Sequence, residues 1–374
     1  MIWFISALQH PADWLFDMKQ RIIKVLVVDD SAYNRRTIIR MLEEIPNVKV
    51  IDYAIDGEMA LRKAIDLKPD LITLDLEMPK MDGFTALRIL MQNQPTPVII
   101  VSSRSDDENV FRALEFGAVT FIPKPSSKIS PELFNIREDL HEKVMAAVGT
   151  DMKKVLRRAV SDEKSAQTKV RSGLNITPMM TGSQIKYVVI GASTGGPPAL
   201  QGVFSKIKHK IPVGFAVSQH MPPGFTRAFA DRMNKFSGLD IKEAENGDMM
   251  RPGQVLIAPG GTNLTFRRRG KDVVARIMEP ETDQRYVPSV DKMFESAAKI
   301  YGPSLLGVVL TGMGNDGATG TVDIHDAGGR IIAESEESSV VFGMPKEAIA
   351  TGKVCKIVPL DMICNTILSE CGYL

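Results

Sequence analysis

Tyr187-Val188-Val189-Ile190-Gly191-Ala192-Ser193-Thr194-Gly195-Gly196 is an apolar run that breaks into a glycine-rich turn around a serine. The run reads as a strand. The turn holds the Ser193 hydroxyl clear of its own backbone and leaves main-chain N–H groups open to an anion. Either Ser193 is the nucleophile of a hydrolase, or the glycines cradle a phosphate. Two later segments repeat the pattern. Pro212–Ser218 is a buried-strand run ending in Gln219-His220-Met221-Pro222, and Leu305–Leu310 is another, ending in Thr311-Gly312-Met313-Gly314-Asn315-Asp316-Gly317. In a parallel sheet these ends share one edge, so Ser193, His220 and Asp316 can meet despite their separation in sequence.

The residue types suit acyl transfer. A serine hydroxyl is a weak nucleophile at neutral pH, so an imidazole must take its proton, and a carboxylate fixes the imidazole tautomer and stabilises the cation. Of five histidines, His10, His141, His209, His220 and His325, only His220 follows a strand of the sheet interior. Plain structural readings exist too: a lone histidine is often structural, and Asp-Gly is a common turn. Ser218, Gln219 and Met221-Pro222-Pro223-Gly224 around His220 suggest a shaped loop, and glycines at 312, 314, 317 and 320 suggest backbone approaching something closely. Gly191–Gly195 matches G-x-S-x-G, a short pattern, but the order Ser–His–Asp differs from the Ser–Asp–His order of the α/β-hydrolases. A nucleotide site is the rival. The turn has neither G-x-G-x-x-G spacing nor the Gly-Lys-Ser/Thr ending of a P-loop.

The chain of 374 residues is long enough for about two domains. Its formal net charge of +1 gives no global field for nucleic acid or a membrane surface. No apolar run approaches the roughly 20 residues of a membrane span, and Met1–Leu8 is apolar but too short for a signal peptide without a preceding Lys or Arg. Residues 1–17 read as an unimportant extension. The three cysteines, Cys355, Cys364 and Cys371, fit reduced cytosolic thiols acting as core filler.

The first half alternates short apolar runs with helical periods. The runs are Ile22–Val28, Val48–Ala54, Leu71–Leu74, Val98–Val101 and Thr120–Ile122. Between them Ile38, Leu42 and Ile45, then Leu61, Ala64 and Ile65, then Leu87, Leu90 and Met91 recur at helix spacing. Such βα units read as one doubly wound parallel sheet, with function at the C-terminal ends of its strands. Asp29-Asp30 follow the first strand, Asp75 the third, Ser102-Ser103 the fourth and Lys124-Pro125 the fifth. One Asp at a strand end is commonly a helix N-cap. Carboxylates converging on one edge repel unless a cation joins them, and hard oxygen ligands suit Mg²⁺. A lysine opposite would pair with an added anion, and a nearby hydroxyl could bond to it. Beyond Pro131, Leu133, Ile136, Leu140 and Val144 form a helical pattern. From about Gly149 to Ser183 the composition shifts to that of a linker, helical at its start. Arg267-Arg268-Arg269-Gly270-Lys271 lies between apolar runs and reads as a charged hairpin tip, not a nucleic-acid patch.

Val27-Val28-Asp29-Asp30-Ser31, Asp75-Leu76-Glu77-Met78-Pro79-Lys80-Met81-Asp82-Gly83, Val101-Ser102-Ser103 and Lys124-Pro125 resemble the receiver domain of two-component response regulators. The resemblance implies a flavodoxin-like (βα)5 domain with Asp75 as phospho-acceptor. Asp29, Asp30, Asp75 and the backbone carbonyl of Glu77 would hold Mg²⁺, Ser102 and Lys124 would contact the phosphoryl group, and Phe121 would be the aromatic switch. Residues 184–374 resemble the catalytic domain of chemotaxis protein-glutamate methylesterases through Ile190–Pro197, Gln219–Thr226, Ile257–Gly260, Pro288–Asp291, Leu310–Gly317 and Val340–Lys346. This second resemblance implies a larger three-layer αβα domain with a mainly parallel sheet. Ser193 would be the nucleophile, His220 the general base and Asp316 the orienting acid. The Met313 N–H would help bind the oxyanion and Thr194 would line the site. Asn263 and Tyr286 stand where family members often carry histidine, which bears on substrate fine-tuning.

Together the resemblances imply two doubly wound α/β domains: residues 1–21 as extension, 22–145 as receiver, 146–183 as linker and 184–374 as catalytic domain. They imply a cytoplasmic hydrolase that removes methyl groups from glutamate γ-methyl esters on chemoreceptor helices and deamidates glutamines there. A sensor histidine kinase would supply the phosphoryl group. Ester hydrolysis would need no metal, and the unphosphorylated receiver would pack across the cleft. Two other classes stay open: a serine peptidase or general esterase, and a receiver-linked binding module that uses the turn as an anion site.

Overall fold

The computed structural model describes residues 21–102, 107–124, 131–158 and 184–373. The expected extension up to residue 20, Ser103, Pro125, linker residues 159–183 and the side chains of Leu133 and Ile136 lie outside the described residues.

The first half is β1 (Ile23–Val28), α1 (Ala32–Glu43), β2 (Val48–Ala54), α2 (Gly57–Leu67), β3 (Leu71–Asp75), α3 (Gly83–Asn93), β4 (Val98–Ser102), α4 (Asp107–Glu115), β5 (Thr120–Pro123) and α5 (Pro131–Val148). Its strands pair in parallel in the order β2-β1-β3-β4-β5, the flavodoxin-like winding. Three helices start on side-chain caps: Ser31, Asp56 and Asp82 accept the amides of Asn34, Met59 and Thr85, which satisfies donors that the first turn leaves open. The period of 2 shows directly in β1, where Leu26 and Val28 face one core and Val25 and Val27 the other. The expected stripes on α1 and α3 are buried. On α2 the buried line is Gly57, Ala60 and Ala64, and Ile65 is exposed. Small residues let α2 lie close, and Ile65, one residue past Ala64, is turned about 100° away from that line.

The second half is β6 (Tyr187–Ala192), α6 (Gly196–Phe204), β7 (Gly214–Gln219), α7 (Thr226–Phe236), β8 (Asp240–Glu243), β9 (Gln254–Ile257), β10 (Asn263–Arg269), β11 (Asp272–Met278), α8 (Val290–Tyr301), β12 (Leu305–Val309), α9 (Ala318–Asp326), β13 (Arg330–Glu334), α10 (Met344–Ala350), β14 (Lys356–Val358) and α11 (Leu360–Glu370). Seven strands form one sheet in the order β14-β13-β12-β6-β7-β9-β8, with every pair parallel. β10 and β11 form a separate antiparallel hairpin with Gly270-Lys271 at its tip. Val188, Ile190 and Ala192 of β6 point towards α6, α7 and α11, whereas Val189 points towards α8, α9 and α10. Helices on both faces make three layers. Cys364 and Cys371 are buried, but Cys355 is exposed, against the expectation of core filler. It lies at the entry to edge strand β14, where no layer covers it. Among the described residues no helix is long and apolar enough to cross a membrane.

The halves share one apolar core. Phe111 of α4 meets Phe229 of α7 at 5.3 Å between ring centroids, and Phe121 of β5 meets Phe225 at 4.8 Å. Beside them Glu115 accepts hydrogen bonds from Arg232 and Gln201. A helical segment over 152–158 adds a wedge: Val155 packs with first-half core residues and with Val340 of the second half.

Candidate active site

In the larger sheet the chain leaves β6 towards β7 on one side and returns as β12 on the other. The crevice at the carboxyl ends of β6 and β12 is therefore a topological switch point, where open α/β sheets bind ligands. Ser193 follows β6, His220 follows β7 and Asp316 lies in the loop after β12, so the three come from neighbouring strands. The Ser193 amide donates to the Thr311 carbonyl at 3.0 Å. Its own carbonyl accepts from Gly196 N at 2.8 Å and from Gln219 Nε2 at 3.0 Å. A Cβ on Gly312 would lie 2.7 Å from Ser193 Cβ, so glycine is what lets the two loops touch. Gly195 takes φ +76°, a left-handed value that favours glycine.

His220 Nε2 is 2.7 Å from Asp316 Oδ2, which leaves Nδ1 for proton exchange. The backbone N–H of His220 donates to the Ala192 carbonyl at 3.0 Å, next to Ser193. Asp316 is buried and sits at the N-terminus of α8. It accepts from Ser289 Oγ at 3.1 Å, Val290 N at 2.7 Å and Asp291 N at 2.8 Å. Burial opposes its charge, but the hydrogen bond and charge of His220 and the amides of Asp291 and Val290 outweigh it. They hold the carboxyl below its usual pKa. Neighbouring Asp291 accepts from Gly317 N and Gly320 N. Burial, with the charge of Asp316 adding to it, pushes Asp291 up to about 6. Thr194 is buried, with its carbonyl bonded by the Thr311 hydroxyl at 3.0 Å. Met313 is half-buried in the loop beside Gly312.

Two residues set aside as substrate-tuning positions in fact contact this machinery. The Tyr286 ring stacks on His220 at 5.1 Å and 6° between planes. Asn263 is buried and accepts the Ser289 amide at 2.9 Å, which steadies the cap under Asp316. In the sequence Pro288–Asp291 stood only as one of the stretches that carry the methylesterase resemblance, with no role given to Ser289 or Asp291.

At the other site, carboxylate oxygens of Asp29, Asp30 and Asp75 lie within 4.8 Å of one another. Lys124 Nζ is 2.8 Å from Asp75 Oδ2. Burial, then the charge of Asp75, pushes Asp29 up to about 6, and its Oδ2 is buried with no donor. Asp75 is also raised by burial, against the pull of Lys124. An orphaned buried oxygen among clustered carboxylates fits a hard divalent cation, which would relieve both burial and repulsion. Ser102 is buried at the end of β4, and its carbonyl accepts the Lys124 amide at 2.7 Å. The Glu77 amide donates to Asp75 Oδ1 at 3.2 Å.

The first half also covers the Ser193 site. Leu114, Val119, Thr120, Phe121 and Lys143 from the first half close over Ser193, Thr194, Gly195, Pro197, Gln219 and His220, and leave a cavity of about 10 Å³. That volume holds one water at most. Glu115 and Arg232 were not singled out in the sequence, because nothing local marks two residues that meet across a domain junction.

Comparison with known proteins gives a family for each half. The family model for the response regulator receiver domain matches residues 25–132, and that for the CheB methylesterase matches residues 188–367. A Geobacter sulfurreducens protein named protein-glutamate methylesterase/protein-glutamine glutaminase 3 is 54% identical over 366 residues, covering 95% of this chain and 99% of the relative. The Myxococcus xanthus protein numbered 1 under the same name is 47% identical over 342 residues, covering 91% and 95%. A namesake from Halalkalibacterium halodurans is 42% identical over 351 residues, covering 93% and 98%. A receiver sheet with its acid cluster, joined to a sheet that gathers Ser193, His220 and Asp316 at its switch point, thus belongs to the CheB-type protein-glutamate methylesterase family.

Proposed function

We propose that this chain is a cytoplasmic, phosphorylation-controlled hydrolase that removes methyl groups from glutamate γ-methyl esters on chemoreceptor cytoplasmic helices and deamidates glutamines there. Residues 22–145 are its receiver, 146–183 its linker and 184–374 its catalytic domain. The observation that carries the reading is the 2.7 Å His220–Asp316 pair at the strand end beside the Ser193 turn.

Ser193 Oγ attacks the ester carbonyl while His220 takes its proton. Asp316 keeps the ring in register and stabilises the cation. The negative oxygen of the tetrahedral intermediate accepts the Met313 N–H, which has no acceptor among the described residues, and Thr194 lines the site. His220 returns the proton to the leaving methanol, or to ammonia from a glutamine. Water, deprotonated by His220, then releases the acid and restores Ser193.

Control lies in the receiver. A sensor histidine kinase donates the phosphoryl group to Asp75. Asp29, Asp30, Asp75 and the Glu77 carbonyl would hold Mg²⁺, which when bound neutralises charge on the transferring group. Lys124 and Ser102 then contact the phosphoryl oxygens, which draws both away from their present partners. Phe121, one face of the closed cavity, is the switch that leaves Phe225 and opens the path to Ser193. The test is methanol release from methylated receptor. Ser193→Ala releases none, and a fluorophosphonate labels the wild-type chain but not the variant. Near-normal release by the variant removes Ser193 from its role.

A further inference from the structure

Arg158 ends the helical segment 152–158 and belongs to neither sheet. Its side chain is nonetheless only 11% exposed, and it reaches three acceptors of the catalytic half. Nη1 donates to the Gly195 carbonyl at 3.0 Å, inside the turn that carries Ser193. Nη2 donates to Glu334 Oε1 at 2.5 Å and to the Ser338 carbonyl at 2.7 Å. Glu334, at the end of β13, is fully buried. Its other oxygen accepts the Thr311 amide at 2.9 Å. Thr311 in turn accepts the Ser193 amide at 3.0 Å and donates its hydroxyl to the Thr194 carbonyl at 3.0 Å. The guanidinium therefore touches the nucleophile turn directly at Gly195 and again through Glu334 and Thr311.

We propose that Arg158 is a positioning residue for ester hydrolysis: a linker side chain that sets the spacing between the Ser193 turn and the Thr311–Met313 loop. The proposal rests on the reading of Ser193 as nucleophile. A fully buried carboxylate needs a cation and hydrogen-bond donors, and a planar guanidinium serves a carboxylate and two carbonyls at once, which an ammonium on a flexible stem does not. Without Arg158, Glu334 is a buried charge with no cation, its Oε1 held only by the Ser338 hydroxyl at 2.9 Å; it turns towards water and takes the Thr311 amide with it. Misplacement of reacting groups by about 1 Å costs on the order of 100-fold in rate. The seat of Arg158 is set from both sides, since Val155 packs into the receiver core and Lys154 Nζ donates to the Glu336 carbonyl.

The test uses the full-length chain with acetyl phosphate and compares Arg158→Ala, Arg158→Lys and Arg158→Ala/Glu334→Gln. The readouts are the rate of fluorophosphonate labelling and kcat and KM for methanol release from methylated receptor. Arg158→Ala is expected to lower kcat and the labelling rate by roughly 10- to 100-fold, the upper end being the cost of misplacement by about 1 Å, with KM little changed. Arg158→Lys stays low, and the double variant recovers most of the loss because no unpaired charge is left. Labelling of Arg158→Ala at or above the wild-type rate overturns the proposal. So does a loss that Glu334→Gln leaves unrelieved, since the defect is then general and not the stranded carboxylate. A wild-type chain that never labels overturns the Ser193 reading and this proposal with it, whereas normal labelling of both wild type and Arg158→Ala overturns this proposal alone.

Discussion

Replacing Glu115 with alanine should switch the unphosphorylated chain on. Glu115 Oε1 accepts from Arg232 Nη2 at 2.5 Å, Arg232 Nε at 3.2 Å and Gln201 Nε2 at 2.8 Å, tying α4 of the receiver to α7 and α6. The two charged side chains are 21% and 12% exposed, so solvent screens the pair only in part. Hydrogen bonds to charged groups contribute about 1.5–3 kcal/mol, and residual exposure places this clamp near ~2 kcal/mol. A shift of ~2 kcal/mol changes a closed–open ratio by roughly 30-fold. A chain that is about 1% open then becomes roughly one-quarter open, and basal methanol release rises roughly 20-fold. The rate with acetyl phosphate should change by less than about twofold, because that population is already open. The stimulation ratio therefore collapses while the maximum rate stands. Arg232→Ala should act in the same direction but less, since Gln201 still reaches Glu115, and adding it to Glu115→Ala should change little, since the Arg232 bonds are already gone. An unchanged basal rate in Glu115→Ala refutes the reasoning, because the junction would then not be what closes the cleft.

Asp75→Ala should keep the basal rate of methanol release and lose all stimulation by acetyl phosphate; stimulation that persists means the phosphoryl group acts elsewhere. Gly312→Ala would set a methyl 2.3 Å from Met344 Sδ and 2.7 Å from Ser193 Cβ. It should lower kcat and fluorophosphonate labelling by roughly 100-fold through displaced geometry, and wild-type labelling would show that the two loops need not touch. Asp291 is pushed from 3.8 to about 6 in the folded chain, so the folded form binds the extra proton. The stability this gives is complete below pH 4 and is lost as pH rises through 6. Asp291→Asn removes that loss, so its melting temperature relative to wild type should be higher at pH 8 than at pH 4.5, and an equal difference at both pH values rejects the assignment.

The first sheet could be read strand by strand because its strands are short, apolar and followed at once by polar residues; in the second the same signal marked only the strands that lead to Ser193, His220 and the Asp316 loop, and the rest of the domain came with the methylesterase resemblance. Asp29-Asp30, Asp75 and Lys124 announce one edge, and Ser193, His220 and Asp316 the other, since strand-end position is local information. The contacts of Tyr286 with His220 and of Asn263 with Ser289 were not legible, because Asn263 opens the β10–β11 hairpin and Tyr286 follows it, with no fixed spacing to the strands they serve. The same holds for Arg158, which bonds to a carboxylate 176 positions away. Ile65 misled for a simpler reason: apolar spacing gives a helix its face only to within a residue, and alanines can own the closest approach.

The aromatic seam between the halves also sets how the closed enzyme responds to temperature. Opening exposes the rings of Phe229, Phe111, Phe121 and Phe225, whose successive centroids are now 5.3, 6.3 and 4.8 Å apart, and exposure of apolar surface carries a positive heat capacity. Grip from that source weakens on cooling, unlike the grip of an ion pair. On the proposed reading, the open fraction of the unphosphorylated chain is therefore a curved function of temperature, lowest where the seam holds best and larger on its cold side. If the seam is what keeps Ser193 covered, the resting chain carries a thermal bias of its own before Asp75 takes a phosphoryl group.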